Sequence, residues 1–182
     1  SESRGLGDVY KRQAYERKIK ELGGIDLQIL GIGRTGHIGF NEPGSHLNSQ
    51  TRTITLDHLT RFDAISAFQG IENVPRKAVT MGIQSILSAK KIILMAWGTN
   101  KSEIIQKAVE GQISDKIPTT YLQYHKNTTL ILDEEAASEL TRIKTPWLVG
   151  SCDWKDAISS KAIIWLCEKM NKSILKLTDE DL

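Results

Sequence analysis

A histidine and a glutamate stand five positions apart, His37 and Glu42, in the segment LGIGRTGHIGFNEPGS that runs from Leu30 to Ser45. An imidazole titrates near neutrality, and a carboxylate can orient it and balance its charge. The two can therefore work as an acid–base pair if the chain folds them together. Glycines at positions 31, 33, 36 and 39 let the backbone turn sharply and approach a ligand with no Cβ in the way. The segment follows an apolar run, Ile25 to Leu30, that reads as a buried strand. In α/β proteins, a loop leaving the carboxyl end of a strand is where ligands bind. These residues in this order point to an enzyme for a small polar substrate.

Gly31-Ile32-Gly33-Arg34-Thr35-Gly36 also fits a dinucleotide-binding pattern. No clean helix follows Gly36, and no acid ends a strand about 20 residues on, which argues against that use.

The elements that must carry this loop are legible from periodicity and punctuation. Ala14 to Leu22 predicts a helix ended by Gly23-Gly24. Thr51 to Leu56 alternates as a strand, and Asp57 caps a helix reaching about Gly70. Ala78 to Met81 is a short strand, and Gly82 to Ala89 a helix. Lys91 to Trp97 is a second buried strand that turns through Gly98-Thr99-Asn100 into a helix, with Ile104, Ile105, Ala108 and Val109 on one face. Pro118 opens a helical turn, Thr128 to Leu132 is a strand, and Asp133 caps a helix from Glu134 to Thr141. Asp156 to Met170 forms a longer helix with a stripe of Ile158, Ala162, Trp165, Leu166 and Met170. Strands and helices alternating at this spacing predict an α/β fold, a mainly parallel Rossmann-like sheet with helices on both faces.

Composition narrows the class. The chain has 182 residues, 40% of them hydrophobic and 25% charged, enough to bury a core and ordinary for a globular protein. A net charge of +2 gives no reason to expect nucleic acid or an anionic membrane as partner. No apolar run approaches the roughly 20 residues of a membrane span. Two cysteines, Cys152 and Cys167, are too few for a disulfide framework or a structural zinc site, and read as reduced thiols of a cytoplasmic protein. Residues 1–13 lack periodicity and are expected to be a non-native or disordered leader, ahead of a domain over 14–144.

GHIGFNEPGS (Gly36 to Ser45) closely resembles the signature of the glucosamine-6-phosphate deaminase/isomerase family. The likeness extends through Thr51-Arg52, VPRKAVTMGI (Val74 to Ile83), GTNK (Gly98 to Lys101), AVEG (Ala108 to Gly111), LQYH (Leu122 to His125) and LDEEAASEL (Leu132 to Leu140). It implies a sugar-phosphate isomerase/deaminase fold and an aldose–ketose isomerisation coupled to ammonia release, without metal or cofactor. His37 matches the family's ring-opening histidine, Glu42 the carboxylate that holds it, and Lys101 the lysine that grips the 6-phosphate. The backbone of Gly31 and Gly39 would line the sugar. Ser45 and Arg52 match positions that bind an allosteric sugar phosphate in some members, although Ile54 stands where a partner lysine is expected.

Two departures carry weight. Thr35 occupies a position that is usually acidic in the family, and a hydroxyl can hydrogen-bond an imidazole but supplies no charge. The family's phosphate-binding arginine aligns with Ser66, with Arg61 as a nearby substitute. The family's first phosphate loop and its proton-moving aspartate precede the matched stretch. The chain by itself is thus expected to be inactive and N-terminally truncated. Residues 145–182 resemble the linker and helix that lead to a second domain in longer members. Two other readings stand beside the deaminase. One is a non-catalytic sugar-phosphate-binding domain, and the other a 6-phosphogluconolactonase-like hydrolase, against which Asn41-Glu42-Pro43 argues. The partner is a small amino-sugar phosphate. The sugar epimer is open, and so is the oligomeric state, a homo-oligomer included.

Overall fold

The computed structural model describes residues 2–181, with side chains from Val9 onward. The chain divides into two units, Ser1–Ser138 and Glu139–Leu182, a boundary a few residues ahead of the one expected from composition.

The first unit opens with helix α1 (Glu2–Glu21), so helical structure begins well before Ala14. Strand β1 (Leu27–Gly31) follows and feeds the glycine loop. Next come β2 (Arg52–Thr55), α2 (His58–Asp63), α3 (Ile65–Phe68), β3 (Lys77–Thr80) and α4 (Ile83–Leu87). Strand β4 (Lys91–Ala96), a 3-10 turn (Thr99–Lys101), α5 (Ser102–Glu110), a 3-10 segment (Pro118–Tyr124), β5 (Thr128–Leu132) and α6 (Glu134–Ala137) complete it.

Strands β1, β4 and β5 form a parallel sheet in the order β1-β4-β5, with Leu30 level with Leu94 and Leu94 level with Leu130. One face is sealed: Leu30, Ile92, Leu94 and Ala96 are buried, and Ile38, Ile83, Ile86 and Ile105 are buried with them. Removing each such aliphatic side chain from water stabilises the fold by about 1.5–3 kcal/mol. On the other face Leu27, Ile29 and Ile131 are exposed. Parallel strands are usually covered on both sides, which explains why β1 and β4 read as continuous apolar runs.

Further expectations change. The strands at 52–55 and 77–80 leave the parallel sheet and pair antiparallel with each other, Arg52 opposite Thr80. Their alternation marks a half-buried ribbon and cannot by itself say which partner it pairs with. The helix expected from Asp57 to Gly70 is broken at Ala64, where α2 ends, and α3 stops at Gln69 in a left-handed conformation. Val109 turns outward on α5, while Ile104, Ile105 and Ala108 face the core.

Glu16 fastens α1 to the rest. Its Oε1 accepts hydrogen bonds from the Thr51 amide at 2.8 Å, the Thr51 hydroxyl at 2.5 Å and the Ser85 hydroxyl at 2.6 Å. Burial pushes its pKa upward, but these donors outweigh burial and hold it below the ordinary 4.5. A carboxylate with a depressed folded pKa contributes stability above its unfolded pKa, and that contribution fades as pH falls through the folded value. Glu16→Ala should cost about 1–3 kcal/mol at neutral pH, the scale of a lost charged hydrogen-bond set. The gap between variant and parent in the opening energies of the β4 amides, read by hydrogen exchange, should close on acidification below pH 4.5.

The second unit holds α7 (Thr141–Lys144), a 3-10 turn (Pro146–Leu148), α8 (Asp156–Met170) and two further 3-10 turns. The helix expected over 134–141 ends at Ala137 as α6, and α7 is separate. Trp147 sits edge-on to Trp165 at 5.9 Å and tilted against Trp154 at 6.3 Å, a small aromatic core. Of the α8 stripe, Met170 stays exposed and the rest are half-buried. Among the described residues, no helix is long and apolar enough to cross a membrane.

Candidate functional site

The glycine loop closes on itself just past β1. The Gly33 amide donates to the His37 carbonyl and the Gly36 amide to the Gly33 carbonyl, both at 3.0 Å. Gly36 has φ +76°, and a Cβ there would lie 2.5 Å from Ile117 Cγ2, so neither its backbone nor its surroundings admit a side chain. Its carbonyl accepts from the Thr119 amide at 3.0 Å and the Thr119 hydroxyl at 2.6 Å, which bolts the loop to the 3-10 segment at Pro118–Tyr124.

This frame brings His37 and Glu42 together. His37 Nδ1 is 3.1 Å from Glu42 Oε2, and both side chains are largely shielded from water, at 17% and 13% exposure. Thr35 Oγ1 is also 3.1 Å from Nδ1, and its hydroxyl donates to Glu42 Oε2 at 3.3 Å. That hydroxyl has one proton, directed at the carboxylate, so toward the imidazole it can only accept. Nδ1 therefore faces two acceptors and carries the proton, and Nε2, with no partner among the described residues, is the nitrogen free to exchange one. A charged hydrogen bond of this kind contributes about 1.5–3 kcal/mol. The imidazole lies flat against Gly33, where a Cβ would fall 2.0–2.4 Å from Cε1, Nε2 and Nδ1.

Sequence reasoning missed two residues of the site. Thr60, on α2, donates its hydroxyl to Glu42 Oε1 at 2.5 Å. No local signal links positions 42 and 60; only the tertiary fold does. Asn41, fully buried, is the post under the loop. Its Nδ2 donates to the Ile38 carbonyl at 2.9 Å and the Met81 carbonyl at 2.8 Å, and its Oδ1 accepts from Arg52 Nη1 at 2.8 Å.

Arg52 completes that brace by donating through Nη2 to Ser45 Oγ at 2.9 Å. Burial lowers its pKa from the usual guanidinium value. Ser45 and Arg52 thus bind each other, beside a cavity of about 400 Å³ that Ile54 and Glu42 also line.

Lys101 ends the 3-10 turn after β4 and reaches back to the glycine loop, where its Nζ donates to the Ile32 carbonyl at 2.9 Å. The turn that presents it is held by acids of the LDEE segment. Asp133 accepts from the Gly98 amide at 3.0 Å, and Glu135 from the Thr99 amide at 3.2 Å. The Gly98 and Thr99 amides are therefore already occupied. The cation available here is the ammonium itself. Arg61 turns elsewhere, donating to the carbonyls of Ile71 at 2.9 Å and Val74 at 3.3 Å. Gly31 and Gly39 are exposed backbone positions on either side of His37. His125 is held between the Thr128 hydroxyl at 3.0 Å and the Ala89 carbonyl at 2.7 Å, which gives it a structural part.

A pair of carboxylate and imidazole, one open ring nitrogen and a nearby ammonium make a site that can move a proton on a small anionic polar molecule. Comparison with known proteins gives the chain a family. The model of the glucosamine-6-phosphate isomerase/6-phosphogluconolactonase family matches residues 8–131, a stretch that starts inside the segment read as a leader. Over 167 residues the chain is 53% identical to a glucosamine-6-phosphate deaminase-like protein of Bacteroides thetaiotaomicron, covering 92% of this chain and 25% of that one. Over 124 residues it is 48% identical to glucosamine-6-phosphate deaminase 1 of Bacillus subtilis, covering 68% of this chain and 51% of the relative. A solved monomeric glucosamine-6-phosphate deaminase superposes with a TM-score of 0.70 at 46% identity, over 72% of this chain and 54% of that one. The 6-phosphogluconolactonase of Trypanosoma cruzi shares the fold, with a TM-score of 0.56 at 23% identity over 71% of this chain and 51% of that one. The chain spans about half the length of most of these relatives and a quarter of the longest. On its sequence and its fold, the chain belongs to the glucosamine-6-phosphate isomerase/6-phosphogluconolactonase family.

Proposed function

We propose that the loop opens the ring of an amino-sugar phosphate. It would be the acid–base part of an aldose–ketose isomerase/deaminase that converts glucosamine 6-phosphate to fructose 6-phosphate and ammonia. The observation that supports this most is the 3.1 Å contact between His37 Nδ1 and Glu42 Oε2, which leaves Nε2 open. In ring opening, Nε2 takes the proton from the anomeric hydroxyl and returns it to the ring oxygen as the C1–O5 bond breaks. Glu42 balances the imidazolium formed in between, and Nδ1 keeps its proton throughout. Lys101 takes the 6-phosphate as a point charge. The exposed backbone at Gly31 and Gly39 lines the sugar, and Thr35 aligns the imidazole without adding charge.

Moving the hydrogen between C2 and C1 needs a further base, and none of the acids in this site is free for it. Glu42 is committed to His37, while Asp133 and Glu135 are committed to the Lys101 turn. The chain alone should therefore open the ring without releasing ammonia. Its free cysteines, Cys152 and Cys167, support a reducing compartment such as the cytosol.

The test is anomer exchange of glucosamine 6-phosphate, followed by NMR with the 182-residue chain present, beside an ammonia assay. Exchange should be faster than in buffer, acceleration weaker with unphosphorylated glucosamine, and ammonia absent. Binding without any acceleration would favour a sugar-phosphate sensor. Hydrolysis of 6-phosphogluconolactone would move the assignment to the lactonases.

A further inference from the structure

Glu42 is a carboxylate with each oxygen separately engaged. Oε2 serves His37 and Thr35, and Oε1 receives the Thr60 hydroxyl at 2.5 Å. The second contact comes from a different element, α2, which is anchored on both sides. Asp63 at its end takes a two-point grip from Arg34 of the glycine loop, through Nε to Oδ2 at 3.0 Å and through Nη2 to Oδ1. Arg61 ties the same helix to the carbonyls of Ile71 and Val74. Asp57 caps its start by accepting from the Leu59 amide at 2.8 Å. The Thr60 hydroxyl is thus carried by a helix tied to its surroundings at its start, middle and end.

A carboxylate held at one oxygen can still swing about its Cγ–Cδ bond. Held at both oxygens, it has its plane set. We propose that Thr60 is a positioning residue: by occupying Oε1 it keeps Oε2 facing His37 Nδ1 and so makes Nε2 the proton-exchanging nitrogen. The tautomer of a histidine is set by the hydrogen bond that its other ring nitrogen makes, so removing the anchor of the acceptor acts on the tautomer itself. Arg34 and Asp63 extend the same device by clamping the anchoring helix to the loop that carries the histidine. The proposal rests on the acid–base reading of His37 and Glu42 but is tested apart from it.

The experiment is nitrogen-15 NMR of the neutral His37 imidazole in the 182-residue chain, with Thr60→Val, Thr60→Ala and Thr60→Ser compared with the parent. The parent should be almost wholly Nδ1–H. The valine and alanine variants should shift a large share to Nε2–H, and serine, which restores the hydroxyl, should return the parent spectrum. The two aliphatic replacements differ in bulk, so a packing failure in one leaves the other to be read. A loss of the Nδ1–H form that serine does not rescue would make Thr60 a packing residue and overturn the proposal. Unchanged tautomers in valine and alanine would overturn it too. A parent that is already Nε2–H would instead remove the His37–Glu42 reading, a different failure with a different signature.

Discussion

Replacing Gly33 by alanine should expel the His37 imidazole from its place beside Glu42. The new methyl would fall within 2.0–2.4 Å of three ring atoms, closer than any real contact. The backbone at Gly33 is not in the left-handed region, so its φ admits alanine, and the three atoms nearest the new Cβ all belong to the ring. The imidazole has to rotate away and the Nδ1–Oε2 contact of 3.1 Å is lost. General acid–base help of this type contributes on the order of 10²–10⁴-fold, and ring opening by Gly33→Ala should fall by about that factor, toward the rate in buffer. The control is His37→Ala combined with Gly33→Ala. With the ring gone the methyl has room, and the double variant should be more stable than Gly33→Ala and no slower than His37→Ala alone. Gly33→Ala at parental speed would show that His37 does not work from this position.

Asn41→Ala should be the most damaging single change to stability in the first unit. The side chain is fully buried and serves three partners: two backbone carbonyls, of Ile38 and Met81, and the Arg52 guanidinium. Truncation takes one partner from each, although the Ile38 carbonyl keeps the backbone amide of residue 41, the Met81 carbonyl keeps the Thr80 hydroxyl and Arg52 keeps the Ser45 hydroxyl. Burial already works against the charge of Arg52, as its lowered pKa shows. A lost hydrogen bond to a charged group costs about 1.5–3 kcal/mol and each lost neutral one about 0.5–1.5 kcal/mol, so a total of about 3–5 kcal/mol is expected. Because the chain has two units, a single melting curve would mix them. Hydrogen exchange at the β4 amides reads the first unit alone, and their opening energies should drop by that amount. A drop below about 1 kcal/mol would mean that Asn41 is not the post it looks to be. The result would also explain the Asn-Glu-Pro tripeptide, whose first residue holds up the loop while the second works in the site.

The sequence carried the core of the site but not its supports. His37, Glu42 and the glycines share one loop, so their nearness follows from a few backbone turns, and an apolar run ahead of them reads as strand β1. Lys101 follows only from the family resemblance at GTNK, which the strand-to-helix turn places just after β4. What escaped was what depends on distant elements. Thr60 meets Glu42 only because α2 packs on the loop, and the partnership of Arg34 with Asp63 spans 29 positions. The occupation of the Gly98 and Thr99 amides escaped too, because Asp133 and Glu135, which accept from them, stand on the next strand-to-helix crossing. Strands β2 and β3 are legible as strands, but not as an antiparallel pair separate from the parallel sheet. Period-two alternation reports a half-buried surface and is silent on whether the neighbour runs parallel or antiparallel. The helix from Asp57 was drawn too long because its break at Ala64 has no glycine or proline to announce it.

The account stands most directly on what the His37 ring does when substrate arrives. In nitrogen-15 spectra of the 182-residue chain, adding glucosamine 6-phosphate should move the His37 Nε2 resonance and the Lys101 ammonium together, leave Nδ1 protonated, and have far less effect without the phosphate. A saturating titration that perturbs Lys101 and leaves Nε2 where it was, or a proton that moves from Nδ1 instead, would contradict it.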